Sequence, residues 1–126
     1  MHVLFVSVFY NREYCVQESV DSMLSQTYDD VHLVLWDDAS TDNTFAELLK
    51  YASDRVSVLR SSSNQGFTKS LICAINSHDS DMVAIHGSGD ISYQDRIAMQ
   101  VKYLIGHPSC GVCGCHISFA SERVEY

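Results

Sequence analysis

Val3-Leu4-Phe5-Val6-Ser7-Val8-Phe9 is a continuous run of β-branched and aromatic residues without polar alternation, a pattern that fits a strand covered on both faces. Such a strand commits the chain to a layered fold. Shorter apolar runs follow at Val31 to Trp36, Val56 to Leu59 and Met82 to His86. Helical spacing fills the gaps: Arg12 to Ser25, Thr44 to near Asp54, Thr68 to Asn76, and Tyr93 to Ile105 before His107-Pro108. Thr44 and Glu47 have the spacing of a capping box. Strands alternating with helices of this length make βαβ crossovers, so the expected class is α/β, with a Rossmann-like, mostly parallel sheet and helices on both faces. One more strand is expected around Gly111 to Phe119, with Gly111, Cys113 and Cys115 sharing a face.

Composition bounds the partners. The chain has 126 residues, 46% of them apolar, enough for one domain with a true core over residues 1–126. Sixteen acidic residues against eight basic ones give a formal charge of -8, without a basic run or basic helix face. That balance argues against nucleic acid as a partner. No apolar stretch is long enough to span a bilayer, and Met1 to Phe9 lacks the charged start and cleavage site of a signal peptide, so the chain reads as cytoplasmic.

Two strands end on polar, acidic segments. The run Val34-Leu35-Trp36 stops at Asp37-Asp38-Ala39-Ser40-Thr41-Asp42-Asn43-Thr44, and His86 is followed by Gly87-Ser88-Gly89-Asp90. Ligands of open α/β sheets bind beyond the carboxyl ends of the strands, where Asp37 and Asp38 reach nucleotide hydroxyls or a ring edge; capping of the next helix is the alternative. Cys110, Cys113, Cys115 and His116 have a spacing that suggests zinc, but no second ligand pair follows them. A zinc-binding interaction module therefore stands beside the reading of a buried strand. Cys15 and Cys73 fall in helical segments as small hydrophobes.

Five motifs in order resemble the nucleotide-binding half of a family 2, GT-A type glycosyltransferase. They are the turn Phe9-Tyr10-Asn11, Ser22-Met-Leu-Ser-Gln26-Thr27, Asp37-Asp38-Ala39-Ser40-Thr41-Asp42-Asn43-Thr44, the loop Asn64-Gln65-Gly66, and Lys69 after it. The resemblance runs from Val3 to about Phe119. It implies an inverting transferase that moves a sugar from a nucleotide-diphospho-sugar, UDP-type favoured, to a glycan or lipid-linked acceptor. By the same resemblance Phe9 and Tyr10 flank the nucleobase, Asp38 accepts a hydrogen bond from it, Asp37 supports that loop, and Asn11, Lys69 and Ser88 join the nucleotide site. Tyr10 has packing under the first helix as its alternative, and Asn11 a turn role.

The chain departs from the family's pattern after the fourth strand. Where the family carries Asp-x-Asp-Asp to hold Mg²⁺ or Mn²⁺ on the donor diphosphate, Gly87 and Gly89 stand at the first two acidic positions and Asp90 alone keeps its charge. One carboxylate suffices for Mg²⁺ when phosphates and waters supply the other ligands, so Asp90 is the expected metal contact, with helix capping as its alternative. An acidic residue restored at position 89 is expected to strengthen the site. The glycines also admit a backbone cradle for the diphosphate, or a non-catalytic glycosyltransferase-like binding domain. Arg96, with Gln100 on the last helix, is placed to touch phosphate or to pair with Asp95 or Asp90. The family's acceptor-binding portion, its catalytic base and any peripheral membrane association are expected beyond residue 126, so the chain alone is expected to be inactive or feeble.

Overall fold

The computed structural model describes residues 1–119. Four strands, β1 (Val3–Phe9), β2 (Val31–Asp37), β3 (Val56–Arg60) and β4 (Met82–Gly87), form one sheet in the order β3-β2-β1-β4. All three strand pairings are parallel. Helices α1 (Val16–Leu24), α2 (Thr44–Leu49), α3 (Phe67–Ile75) and α4 (Arg96–Gly106) make the connections and cover the faces. The doubly covered strand read from the sequence is β1, every residue of which is buried.

Its alternating side chains divide the core in two. Val3, Phe5 and Phe9 pack with Val16, Val20 and Met23 of α1, Leu48 of α2, and Ile97 and Val101 of α4. Leu4 and Val6 join Val34 and Ala74 on the opposite face, with Leu71 and Ile75 of α3 against them. The register aligns Phe9 with Asp37 and Asp37 with Arg60, and pairs Val8 with Gly87. The loops that follow β1, β2 and β4 are thereby gathered at one edge of the sheet.

Several expected boundaries move. The helix foreseen from Arg12 opens as a 3-10 turn, Glu13–Cys15, because the Arg12 amide donates to Thr44 Oγ1 at 2.8 Å and starts a turn, not a helix. The capping box at Thr44 does not form: Asn43 is the N-cap, and Glu47 pairs instead with Lys50 at 2.8 Å. That helix ends at Leu49, not near Asp54, as the chain turns into a bridge between Ser53 and Val56. The strand expected over 111–119 is also absent; those residues form no regular element. Two glycines weaken it as a strand, and on the neighbouring β4 edge the Ile85 carbonyl accepts from Arg96 Nη2 at 2.9 Å. Among the described residues no helix is long and apolar enough to cross a membrane.

The Ser-x-x-x-Gln-Thr motif has a structural role. Gln26 Nε2 donates to the Tyr93 carbonyl at 2.9 Å and Gln26 Oε1 accepts from the Ile97 amide at 3.0 Å, while the Thr27 amide donates to the Gln94 carbonyl at 2.8 Å. The end of α1 thus holds the start of α4. Gln26→Leu leaves the Ile97 amide without that acceptor and should lower stability by about 1–3 kcal/mol. Urea denaturation checks this, and an unchanged midpoint contradicts it.

Candidate functional site

At the end of β1 the alternation of the strand turns the Phe9 ring inward, where it is fully buried in the core. This corrects the expectation that Phe9 flanks a nucleobase. What Phe9 offers the strand end is its carbonyl, which accepts from the Asp38 amide at 2.9 Å. Tyr10 follows it and is 44% exposed, so its ring is open to a ligand. Asn11 takes a left-handed φ of 50°, which Asn tolerates better than most residues. Its Oδ1 accepts from the Thr41 amide at 2.8 Å and the Asp42 amide at 3.3 Å, and its own amide donates to Ser40 Oγ at 2.9 Å. Asn11 therefore clamps the β1–α1 turn to the β2–α2 loop.

The two carboxylates at the end of β2, Asp37 and Asp38, are both buried. Asp37 Oδ2 takes Arg60 Nε at 2.9 Å and the Ser40 amide at 3.1 Å, which holds the intervening Ala39 at a φ of 59°. Asp37 Oδ1 is buried with no hydrogen-bond partner among the described residues. Arg60 also donates to the Ser40 carbonyl at 2.9 Å and lies over the Phe45 ring at 4.6 Å. Sequence reasoning missed Arg60; strand register alone brings it beside Asp37.

Asp38 faces the β3–α3 loop. Its Oδ1 accepts from the Gln65 amide at 3.0 Å and Ser70 Oγ at 2.9 Å, and its Oδ2 from the Gly66 amide at 2.9 Å. Gly66 sits at a φ of 91°, which is open to glycine. Burial pushes the Asp38 carboxyl up, but the Gln65 amide, the Ser70 hydroxyl and the Gly66 amide outweigh it and hold the group below its ordinary value. In the same way the Thr44 hydroxyl and amide overcome burial at Asp42 and lower its carboxyl. Lys69 lies exposed in the first turn of α3, just past the loop that Asp38 holds.

After β4 the chain makes a tight turn over Gly87-Ser88-Gly89-Asp90, closed by the Asp90 amide on the Gly87 carbonyl at 3.0 Å. Gly89 has a φ of 93°, and a Cβ there would meet Cys15 Sγ at 3.3 Å. An acidic residue at 89 is therefore strained, which corrects the expectation that it would simply rebuild a metal ligand. The Gly89 amide donates to Ser19 Oγ at 3.2 Å. The Gly89 and Asp90 amides, two of the donors a backbone cradle for a diphosphate would use, are thus engaged within the fold. Ser88 is half-buried and Asp90 exposed.

The Asp90 carboxylate folds back over the strand end, where a Cβ at Gly87 would make this exposed group swing aside. No group of three or more His, Cys, Asp or Glu side chains converges as a metal site among the described residues. A single exposed carboxylate fits a hard cation only if that cation takes its remaining ligands from phosphate and water. Cys110, Cys113, Cys115 and His116 likewise do not come together as a zinc site, and the five cysteines form no disulfide. Arg96 pairs with neither Asp95 nor Asp90: its guanidinium bonds Ser92 Oγ at 3.0 Å, Gln100 Oε1 at 3.2 Å and the Ile85 carbonyl. Arg96 and Gln100 brace α4 against β4.

The site is thus an edge where the aromatic Tyr10, an amide-rich loop held by Asp38 and a turn carrying one carboxylate meet beyond parallel strands. The sequence model described as glycosyl transferase family 2 matches residues 5–126. The chain belongs to glycosyl transferase family 2. It is 35% identical over 108 residues to EpsE of Bacillus subtilis, covering 83% of this chain and 39% of that protein. It is 28% identical over 96 residues to the Escherichia coli UDP-Glc:alpha-D-GlcNAc-diphosphoundecaprenol beta-1,3-glucosyltransferase WfgD, covering 76% of this chain and 38% of that protein. The chain therefore spans about two fifths of the length of these relatives.

Solved structures share the fold. S. aureus TarS in complex with UDP-GlcNAc superposes with a TM-score of 0.79 at 22% identity, over 86% of this chain and 32% of that one. The mannosyltransferase PcManGT from Pyrobaculum calidifontis, in complex with GDP-Man and Mn²⁺, gives a TM-score of 0.76 at 23% identity over 82% of this chain and 32% of that one.

Because Asp38 is lowered in the folded family 2 domain, its stabilisation is full above the unfolded carboxyl pKa of about 3.9 and is lost as pH falls through the lower folded value. Asp38→Asn should cost roughly 1.5–3 kcal/mol at pH 7. In denaturation at a series of pH values, the gap to the unmodified chain should narrow below about pH 4; a constant gap contradicts the assignment.

Proposed function

We propose that this chain is the donor-binding portion of an inverting, cytoplasmic glycosyltransferase that transfers a sugar from a UDP-type nucleotide-diphospho-sugar to a glycan or lipid-linked acceptor. The observation that carries the reading is the meeting of Tyr10, the Asp38-held loop and the Asp90 turn at the carboxyl edge of a family 2 sheet. Tyr10 stacks on the base through an exposed aromatic face. Asp38 Oδ2, with one amide already on it, keeps a lone pair for the imide N–H of a uracil. Asp37 and Asn11 support the loop that carries Asp38, and Lys69 and Ser88 lie on the segments that flank the diphosphate.

Asp90 is the residue that would hold a divalent cation. When bound, Mg²⁺ or Mn²⁺ compensates the diphosphate charge, which a chain of formal charge -8 has few other means to do.

With one carboxylate at the turn, cation and nucleotide should bind as a coupled pair. In calorimetric titration Mn²⁺ should raise UDP affinity at least several-fold, and Asp90→Ala should remove that gain while leaving metal-free UDP binding in place. UDP affinity indifferent to EDTA and to Asp90→Ala would overturn the cation reading and leave a non-catalytic nucleotide-binding domain.

A further inference from the structure

His86 is a residue that neither the motifs nor the resemblance singled out, and it lies directly beneath the Gly87–Asp90 turn. It is 1% exposed, and both of its ring nitrogens are engaged. Nε2 stands 2.9 Å from the Asp90 carbonyl and 3.1 Å from Ser19 Oγ, and Nδ1 stands 2.9 Å from Ser92 Oγ.

The chemistry of these partners fixes the proton. A carbonyl oxygen only accepts, so Nε2 carries the hydrogen and Nδ1 is bare. Ser92 Oγ must then donate to Nδ1, and it is free to do so because it accepts from Arg96 Nη1 at 3.0 Å. Ser19 Oγ shares that one Nε2 hydrogen with the Asp90 carbonyl at the longer distance, and also accepts from the Gly89 amide at 3.2 Å. Full burial beside the Arg96 guanidinium, which donates to the same Ser92 Oγ, favours a neutral ring. The edge of Phe5, at 84° and 5.4 Å between ring centroids, fixes the plane of the imidazole.

Every end of the turn is thereby tied to one ring. Asp90 is held through its carbonyl, Gly89 through Ser19, and Ser92 through its hydroxyl, while the Ser92 amide donates to Ser22 Oγ at 3.0 Å. An apolar residue at position 86 would fill the core but release the Asp90 carbonyl. We propose that His86, as the Nε2–H tautomer, is a positioning residue that sets the Gly87–Asp90 turn and so aims the Asp90 carboxylate at the cation and donor diphosphate.

This rests on the cation reading above, and the two are separable by experiment. UDP affinity is measured by calorimetry with and without Mn²⁺ for the 126-residue chain, His86→Leu and His86→Gln, beside thermal melts. The Mn²⁺ gain should fall below twofold in His86→Leu, with metal-free UDP affinity within twofold of the unmodified chain. His86→Gln, whose amide nitrogen can still donate to the Asp90 carbonyl, should recover at least half of the gain. A full gain in folded His86→Leu overturns the positioning role while the cation reading stands. No gain in the unmodified chain overturns both. Long-range ¹⁵N–¹H spectra of the unmodified chain test the tautomer without any variant; a protonated Nδ1 on His86 at pH 7 overturns the inference even if His86→Leu fails to fold.

Discussion

The parallel pairing of β1 between β2 and β4 is the constraint on which the remaining structure hangs. Because β1 is buried on both faces, its register against both neighbours is held by packing, and a shift by one residue would exchange the two halves of the core. That register decides which residues meet beyond the strand ends. Asp37 comes beside Phe9 and Arg60, and Gly87 beside Val8. A site made of four loops separated by tens of residues is thus positioned by backbone hydrogen bonds in the sheet.

Above that edge, polar side chains do the work of covalent links between loops. Asn11 joins the first loop to the second, and Asp38 joins the second to the third. Ser19 and His86 join α1 to the fourth. Each of these groups is buried or half-buried and each meets fixed amides or hydroxyls, so the loops share one arrangement in place of several. Asp37 Oδ1 and Ser7 Oγ are the exceptions, buried without a hydrogen-bond partner among the described residues. The first of them lies at the end of β2, where the loops converge.

The glycines of the β4 turn acquire a meaning in three dimensions that differs from simple loss. Gly89 is favoured by its positive φ and by the close approach of Cys15, while a Cβ at Gly87 would displace only the exposed, folded-back Asp90 carboxylate. The acidic positions of the family's motif are therefore replaced by a turn of different build, held from below by a histidine. Charge at the strand end is kept by one residue whose position depends on the two glycines around it.

The strand and helix pattern was legible in the chain because burial on both faces and helical spacing leave direct marks in the order of apolar residues: β1, β2 and β4 lie where their apolar runs lie. The motif residues after β1 and β2 were legible for the same reason, as polar residues that interrupt those runs. What failed was local: the capping box at Thr44, the helix start at Arg12 and the strand over 111–119. In the first two, Thr44 took other partners: its hydroxyl donates to Asp42 in the preceding loop and accepts from the distant Arg12 amide, so a local turn bond and a tertiary bond displaced the expected arrangement. The inward turn of Phe9, the hold of Asp38 on the Gln65-Gly66 loop, the Arg60 pair and the seat of His86 were decided by the tertiary structure alone. Each depends on which atoms of distant segments converge, and the sequence records the residues but not the strand register that brings them together.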